Sequence, residues 1–213
     1  MAMLYPWPRG YSNSKGWHKE IHAWIGFSPQ RVLPCNGYGP GLVTHLKAGQ
    51  QVNVRFWGPK LGKNYMDGLP AMPKPKGSQL NQARHGGGHC QFSLSNDGGK
   101  TFHLIGEYTH SCPDFYYEWP VKIPDNVPNC NEAGKCLFVW SWTAVNMDQF
   151  YQNCADVVIT GKKDGKYPKK GIEIVDVKGY PQKVFATGDG FENKKGKGPN
   201  PDEVKENLQG EWN

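Results

Sequence analysis

Two segments of this chain hold the residues best suited to chemistry. In the first, Arg84-His85-Gly86-Gly87-Gly88-His89-Cys90-Gln91-Phe92-Ser93-Leu94-Ser95, a histidine heads a glycine run that leads into a strand-like segment. In the second, Gln149-Phe150-Tyr151-Gln152-Asn153-Cys154-Ala155-Asp156-Val157, a tyrosine stands three residues before a cysteine. An imidazole on a hinge and a phenol held near a cross-linked cysteine suit a copper ion, as a nitrogen donor and a bulky oxygen that closes an axial position. His85 and Tyr151 are therefore the candidate metal residues. Gln149 lies two residues before Tyr151, on the same side of an extended segment, where its amide can hydrogen-bond a ligand on the metal.

The other histidines read differently. His89 is four residues beyond His85, but the intervening glycines rule out the helix that would make this a ligand spacing. His18, His22, His45, His103 and His110 lack a carboxylate or third histidine at fitting spacing and read as surface or capping residues. No nucleophile elbow, phosphate loop or zincin helix occurs, and nothing marks a glycosidase pair of carboxylates.

The elements that must position these residues are strands. Gln51-Val52-Asn53-Val54-Arg55-Phe56-Trp57 alternates with period two, so Val52, Val54 and Phe56 face a core. Cys90 to Ser95 alternates likewise, and Asn96-Asp97-Gly98-Gly99 supplies residues tolerant of positive φ, which predicts a hairpin returning through Lys100 to Gly106. Cys136 to Thr143 reads as a central strand, with Phe138, Trp140 and Trp142 on one face and Leu137 and Val139 on the other. Ala155 to Thr160 is a last strand, ended by Gly161. The stretch from Gly58 to Arg84 is a long functional loop or surface excursion. The expected fold is all-β, an immunoglobulin/fibronectin-III-like β-sandwich with long loops. Residues 1–160 form that domain, and residues 161–213 a Lys/Gly-rich C-terminal extension, partly ordered, with one β-like run at Gly171–Val177 and disorder toward Lys194–Pro201.

Composition agrees. The 213 residues suit one domain, and 27 glycines with 17 prolines favour short strands and many turns over a helix bundle. No apolar run reaches the roughly eighteen residues of a membrane span, and Pro6 and Pro8 interrupt what could have been a signal-peptide core, so the chain is expected to be mature and free of membrane. The net charge of +6 does not imply nucleic acid, because the eleven lysines between Lys162 and Lys205 are interleaved with acids instead of forming a basic stripe. The six cysteines, with no zinc-type spacing, predict three disulfides and a secreted, extracellular protein. Cys130 and Cys136 bracket a turn-rich loop suited to a local staple, while sequence alone leaves the remaining connectivity open.

The two opening segments together resemble the fungal lytic polysaccharide monooxygenases, in the chitin-active-like branch whose members carry His-Gly-Gly-Gly-x-Cys-Gln-Phe-Ser-Leu-Ser and Tyr-x-Asn-Cys-Ala. The likeness extends over roughly residues 1–160. It implies pairing of Cys35 with Cys154 and Cys90 with Cys112. It also implies one copper ion in a histidine brace, formed by the amine and ring of an N-terminal histidine and the ring of His85, with Tyr151 in the axial position and Gln149 beside it. The branch usually reads Asn-Arg-Glu-x-Tyr where this chain reads Met147-Asp148-Gln149-Phe150-Tyr151. Gln-x-Tyr occurs in the related cellulose-active branch, so the departure bears on substrate. Laid on the family's opening pattern, Met3 is the family's methionine, and the brace histidine falls directly before Met1.

The implied function is copper-dependent oxidative cleavage of glycosidic bonds in a crystalline polysaccharide, chitin ahead of cellulose, by a monomer fed by an external electron donor. The alternative is a brace-less carbohydrate-binding or copper-binding relative on the same fold. Flat aromatics such as Trp7, Tyr116 or Tyr117 sharing a plane around His85 would favour sugar contact.

Overall fold

The computed structural model describes residues 1–57, 85, 87–109, 112–113 and 118–182. Its strands are β1 (Ala2–Tyr5), β2 (Tyr11–Ser12), β3 (Gly16–Trp17), β4 (Val43–Lys47), β5 (Gln51–Trp57), β6 (Gly88–Ser95), β7 (His103–Tyr108), β8 (Glu118–Lys122), β9 (Leu137–Ala144) and β10 (Phe150–Thr160). Among the described residues the only helical element is a 3-10 turn at Cys35–Gly37, so none is long and apolar enough to cross a membrane.

One sheet has the order β1-β5-β8; the other runs β4-β10-β9-β6-β7, with β4 and β10 parallel and the remaining neighbours antiparallel. β2 and β3 form a separate short hairpin. The two larger sheets pack face to face as an immunoglobulin-like β-sandwich, as the alternation predicts. Met3, Val52, Val54, Phe56, Trp119 and Val121 of the smaller sheet meet Phe92, Leu94, Phe138, Trp140, Trp142 and Ala155 of the larger. Each removes apolar surface from water, worth about 1.5–3 kcal/mol for a large side chain. β9 is central, and its two faces divide as expected, with Leu137 and Val139 packing on the outer side against Cys35–Cys154. The hairpin of β6 and β7 forms with a bulge between Phe92 and Ser93, and Asp97 ties its turn by accepting from Thr101 Oγ1 at 2.6 Å and Ser95 Oγ at 2.9 Å.

All three disulfides close as anticipated: Cys35–Cys154, Cys90–Cys112 and Cys130–Cys136. The run Gly171–Val177, read as β-like, forms no strand. Its backbone pairs instead with side chains of the outer sheet face: Gln91 Nε2 donates to Glu173 O at 2.8 Å and Glu173 N donates to Gln91 Oε1 at 2.7 Å. Leu104 N donates to Lys170 O, and Val175 is buried beside Ile25 and Phe150. β-branched content was a poor guide there because a side-chain amide, not a free strand edge, satisfies the backbone. The long loop Gly58–Arg84 and the segment Lys194–Pro201 lie outside the described residues.

Candidate metal centre

The site lies where β1, β6, β9 and β10 come together at one end of the sandwich. β6 begins at Gly88, opposite Ala144 of β9, and Gly87 O accepts from Val145 N at 3.2 Å. A Cβ on Gly88 would collide with the Thr143 carbonyl and lie 2.5 Å from the Trp142 indole nitrogen, and its φ of +151° is one that L side chains rarely adopt. Glycine is therefore required for the chain to approach β9 this closely. His85, just ahead, has a left-handed φ of 54°, uncommon outside glycine and characteristic of functional turns. The hinge read from the glycine run exists, and it presents the imidazole to β9 and β10.

His85 is half-buried, with its ring 5.6 Å from Trp142 and 6.2 Å from Tyr151, centroid to centroid. Its Nε2 stands 3.2 Å from Tyr151 Oη. The Tyr151 hydroxyl donates to Gln149 Oε1 at 2.5 Å, a distance at which its proton is committed to that partner. Gln149, one residue before β10, and Tyr151 on it point to the same inner side by two-residue alternation, continued by Asn153, whose Oδ1 accepts from Met3 N at 2.9 Å. That bond ties β1 to the same end of the molecule. The amino group of Met1 donates to His22 O at 3.2 Å, and its charge reaches His85.

Burial and this neighbouring positive charge push the His85 pKa down, partly opposed by a hydrogen bond from its ring to the Asn146 side chain. The ring is thus biased toward the neutral form that a metal requires. Burial also pushes the Tyr151 phenol up, so its oxygen stays protonated at neutral pH.

The three residues singled out from sequence, His85, Gln149 and Tyr151, are brought together. His89 is not part of the group; its Nε2–H donates to Glu107 Oε2 at 3.0 Å on the outer sheet face. His18 contacts Tyr38 Oη at 2.9 Å, and His103 Nδ1–H donates to Pro168 O at 2.9 Å, so both are structural. Trp7 stacks on Tyr11 with centroids 4.9 Å apart, and its backbone nitrogen bonds Thr44 on β4. Tyr116, Tyr117 and His110 lie outside the described residues. Sequence reasoning passed over Trp142 and Asn146. The first was legible only as one of three inward aromatics on β9, and the second sits in an exposed turn with no pattern around it.

Set against known proteins, 134 residues of this chain, 61% of it, are 46% identical to AA11 family lytic polysaccharide monooxygenase A of Aspergillus fumigatus, and cover 48% of that protein. The sequence is similar to that of the AA11 family lytic polysaccharide monooxygenases. A second AA11 relative, from Aspergillus oryzae, is 27% identical over 148 residues, 61% of this chain and 35% of its own length. The chain thus spans about half or less of the length of the curated relatives it matches. No family model matches. Among solved structures, the extended catalytic domain of H. jecorina LPMO9A aligns at a TM-score of 0.39 and 18% identity, covering 66% of this chain and 55% of that one. HiLPMO9B aligns at 0.39 and 15%, covering 63% and 61%.

The monooxygenase likeness implies copper, and the donors can be tested against it. Around His85 the described residues supply one imidazole nitrogen, a phenol and an amide oxygen. Among the described residues no three His, Cys, Asp or Glu side chains gather as a metal site. One imidazole with a phenol is too weak a set to hold copper alone. The donors fit one arm of a nitrogen-rich site that needs a second imidazole.

Proposed function

We propose that this protein carries out copper-dependent oxidative cleavage of glycosidic bonds in an insoluble polysaccharide, chitin ahead of cellulose, as a secreted monomer supplied by an external electron donor. The observation that carries the reading is the cluster of His85 Nε2, Tyr151 Oη and Gln149 Oε1 at the amino end of β1. His85 would hold one copper ion together with the amine and ring of a histidine placed directly before Met1. Bound there, copper would supply the redox chemistry that no side chain offers.

The chain's own residues do the rest. The Gly88 approach to β9 fixes the hinge that aims His85. Tyr151, neutral and buried, blocks one side of the imidazole nitrogen with a weakly donating oxygen. Gln149 holds the phenol proton and leaves its amide nitrogen free to orient a polar ligand beside the metal position. Trp142 packs on both rings, with its centroid 4.6 Å from Tyr151, and keeps water from that flank.

The domain division follows the same reading: residues 1–160 form the catalytic sandwich, and 161–213 an extension whose first part packs on its outer face. The test is incubation of the natively secreted, copper-loaded protein with insoluble chitin, and separately cellulose, plus a reductant, followed by mass spectrometry of the released sugars. Oxidised oligosaccharides from chitin in larger yield than from cellulose are expected. Binding to either solid without oxidised products would favour a carbohydrate-binding role.

A further inference from the structure

The end of the sandwich opposite His85 is built from three segments that the fold brings together. β10 runs from Tyr151, beside the candidate metal position, to Thr160, a rise of about 30 Å at the usual spacing of an extended strand. Thr160 stands opposite Lys47, and its carbonyl accepts from Ala48 N at 2.9 Å. Gly49 N donates to Ile123 O at 2.9 Å, which seats the turn after β4 against the turn after β8. The segment leaving β10 closes the same end: Lys162 N donates to Val127 O at 2.8 Å, and Lys166 N to Asn126 O at 2.7 Å.

Lys47, Lys122, Lys162, Lys163 and Lys166 stand exposed on these segments, with Asp125 and Asp164 as the acids among them. Lys122 pairs with Asp125 at 2.6 Å, whereas among the described residues no acid pairs with the other four amines. The neighbouring turns are balanced, since Lys135 pairs with Glu132 and Lys100 follows Asp97. Like charges gathered without partners repel one another, and a chain carrying several spaced anions relieves that repulsion and releases its own counterions. The cations also narrow the ligand. All five are lysines, point charges suited to spaced carboxylates or sulfates, where nucleic acid is more often gripped by planar arginine forks. Base stacking finds no platform in Tyr167, which is half-buried and stacked on His103 with centroids 4.7 Å apart.

We propose that this lysine-rich end is a second binding surface, for an acidic polysaccharide chain, set apart from the candidate metal centre. Held there, the protein keeps its His85 end free for another polymer. The inference goes beyond the copper reading and stands without it.

The experiment measures binding to polygalacturonate, a soluble polyanion, by calorimetry at several salt concentrations. It compares the wild type, the triple variant Lys47→Gln, Lys162→Gln, Lys166→Gln, and a control of equal charge, Lys15→Gln, Lys19→Gln, Lys178→Gln. All six replaced lysines are exposed, so neither variant disturbs the core. The first variant should bind at least about tenfold more weakly at about 50 mM salt, and its slope of log affinity against log salt should be shallower by about 2, roughly 0.7 for each lost contact with a single chain. The control should bind as the wild type does. Equal losses in the two variants would show attraction by net charge alone and overturn the proposal, as would a wild type that does not bind. Duplex DNA held as tightly as polygalacturonate would overturn the choice of an acidic polysaccharide.

Discussion

The hydroxyl of Tyr151 has two neighbours, and only one of them receives its proton. Gln149 is 9% exposed, so its Oε1 has little water to replace a lost donor. Tyr151→Phe should destabilise the fold by about 1–3 kcal/mol, the usual cost of leaving a buried acceptor unsatisfied, read as a shift in the denaturant midpoint at constant slope. A change within measurement error would mean that the pair is not formed in solution. His85, Tyr151 and Gln149 were singled out through the likeness of their two segments to the monooxygenases and through the two-residue alternation that puts Gln149 and Tyr151 on one face; the structure places the three side chains together. Asn146 and Trp142 could not be singled out. An exposed asparagine in a turn looks like any other, and an inward tryptophan on a central strand is read first as core.

The segment after β10 illustrates the limits of pattern at the scale of elements. Period-two alternation located β5 and β6, turn residues after β6 located the return through β7 and β-former content located β9, yet β-former content misread Gly171–Val177. Every residue of β9 is buried, since Cys35–Cys154 and the segment to residue 182 cover the outer face that alternation leaves to solvent. A buried outer face also explains its polar lining of Gln91, Ser93, Ser141 and Gln152, a combination that sequence presents as an ordinary exposed surface.

The same segment is held by charge. Glu107 on β7 accepts from His89 Nε2–H at 3.0 Å and from Lys170 Nζ at 3.2 Å. The His89 hydrogen bond, with help from Lys170 and against the effect of burial, holds its carboxyl at about 2, below the ordinary 4.5. The folded protein therefore gives up this proton more readily than the unfolded chain, so the stabilisation is present above pH 4.5 and fades as pH falls toward 2. Glu107→Gln should cost about 1–2 kcal/mol near neutrality after allowance for its partial exposure, and the difference from wild type should vanish in acid. Chemical denaturation across that range checks it, and a gap that persists at low pH would show that the pair contributes by packing alone.

Across the whole molecule, two long-range ties set where the ends of the strands fall. Cys35–Cys154 closes a loop over a sequence separation of 119, and the buried pair of Arg9 with Asp156 spans 147. Arg9 Nη2 meets Asp156 Oδ1 at 2.7 Å and also reaches the Gly134 carbonyl, while Gly41 N donates to Asp156 Oδ2. A buried pair satisfied on this many sides specifies one arrangement of the chain. It anchors the run that follows β1 along β10, and so helps hold the amino end of β1 beside His85. Neither residue is marked in the sequence, because an arginine after a proline and an aspartate in a strand have no local pattern that pairs them. The disulfide was accessible through family likeness and not from spacing.

The claim that joins these scales is that the strands converge to make His85 a copper ligand. Titration of the protein with copper, beside its His85→Ala variant, tests it most directly. The account predicts one tight site in the wild type and at least about a hundred-fold weaker binding in the variant, since one imidazole is then lost from a small donor set. Equal affinity in the two proteins would contradict it.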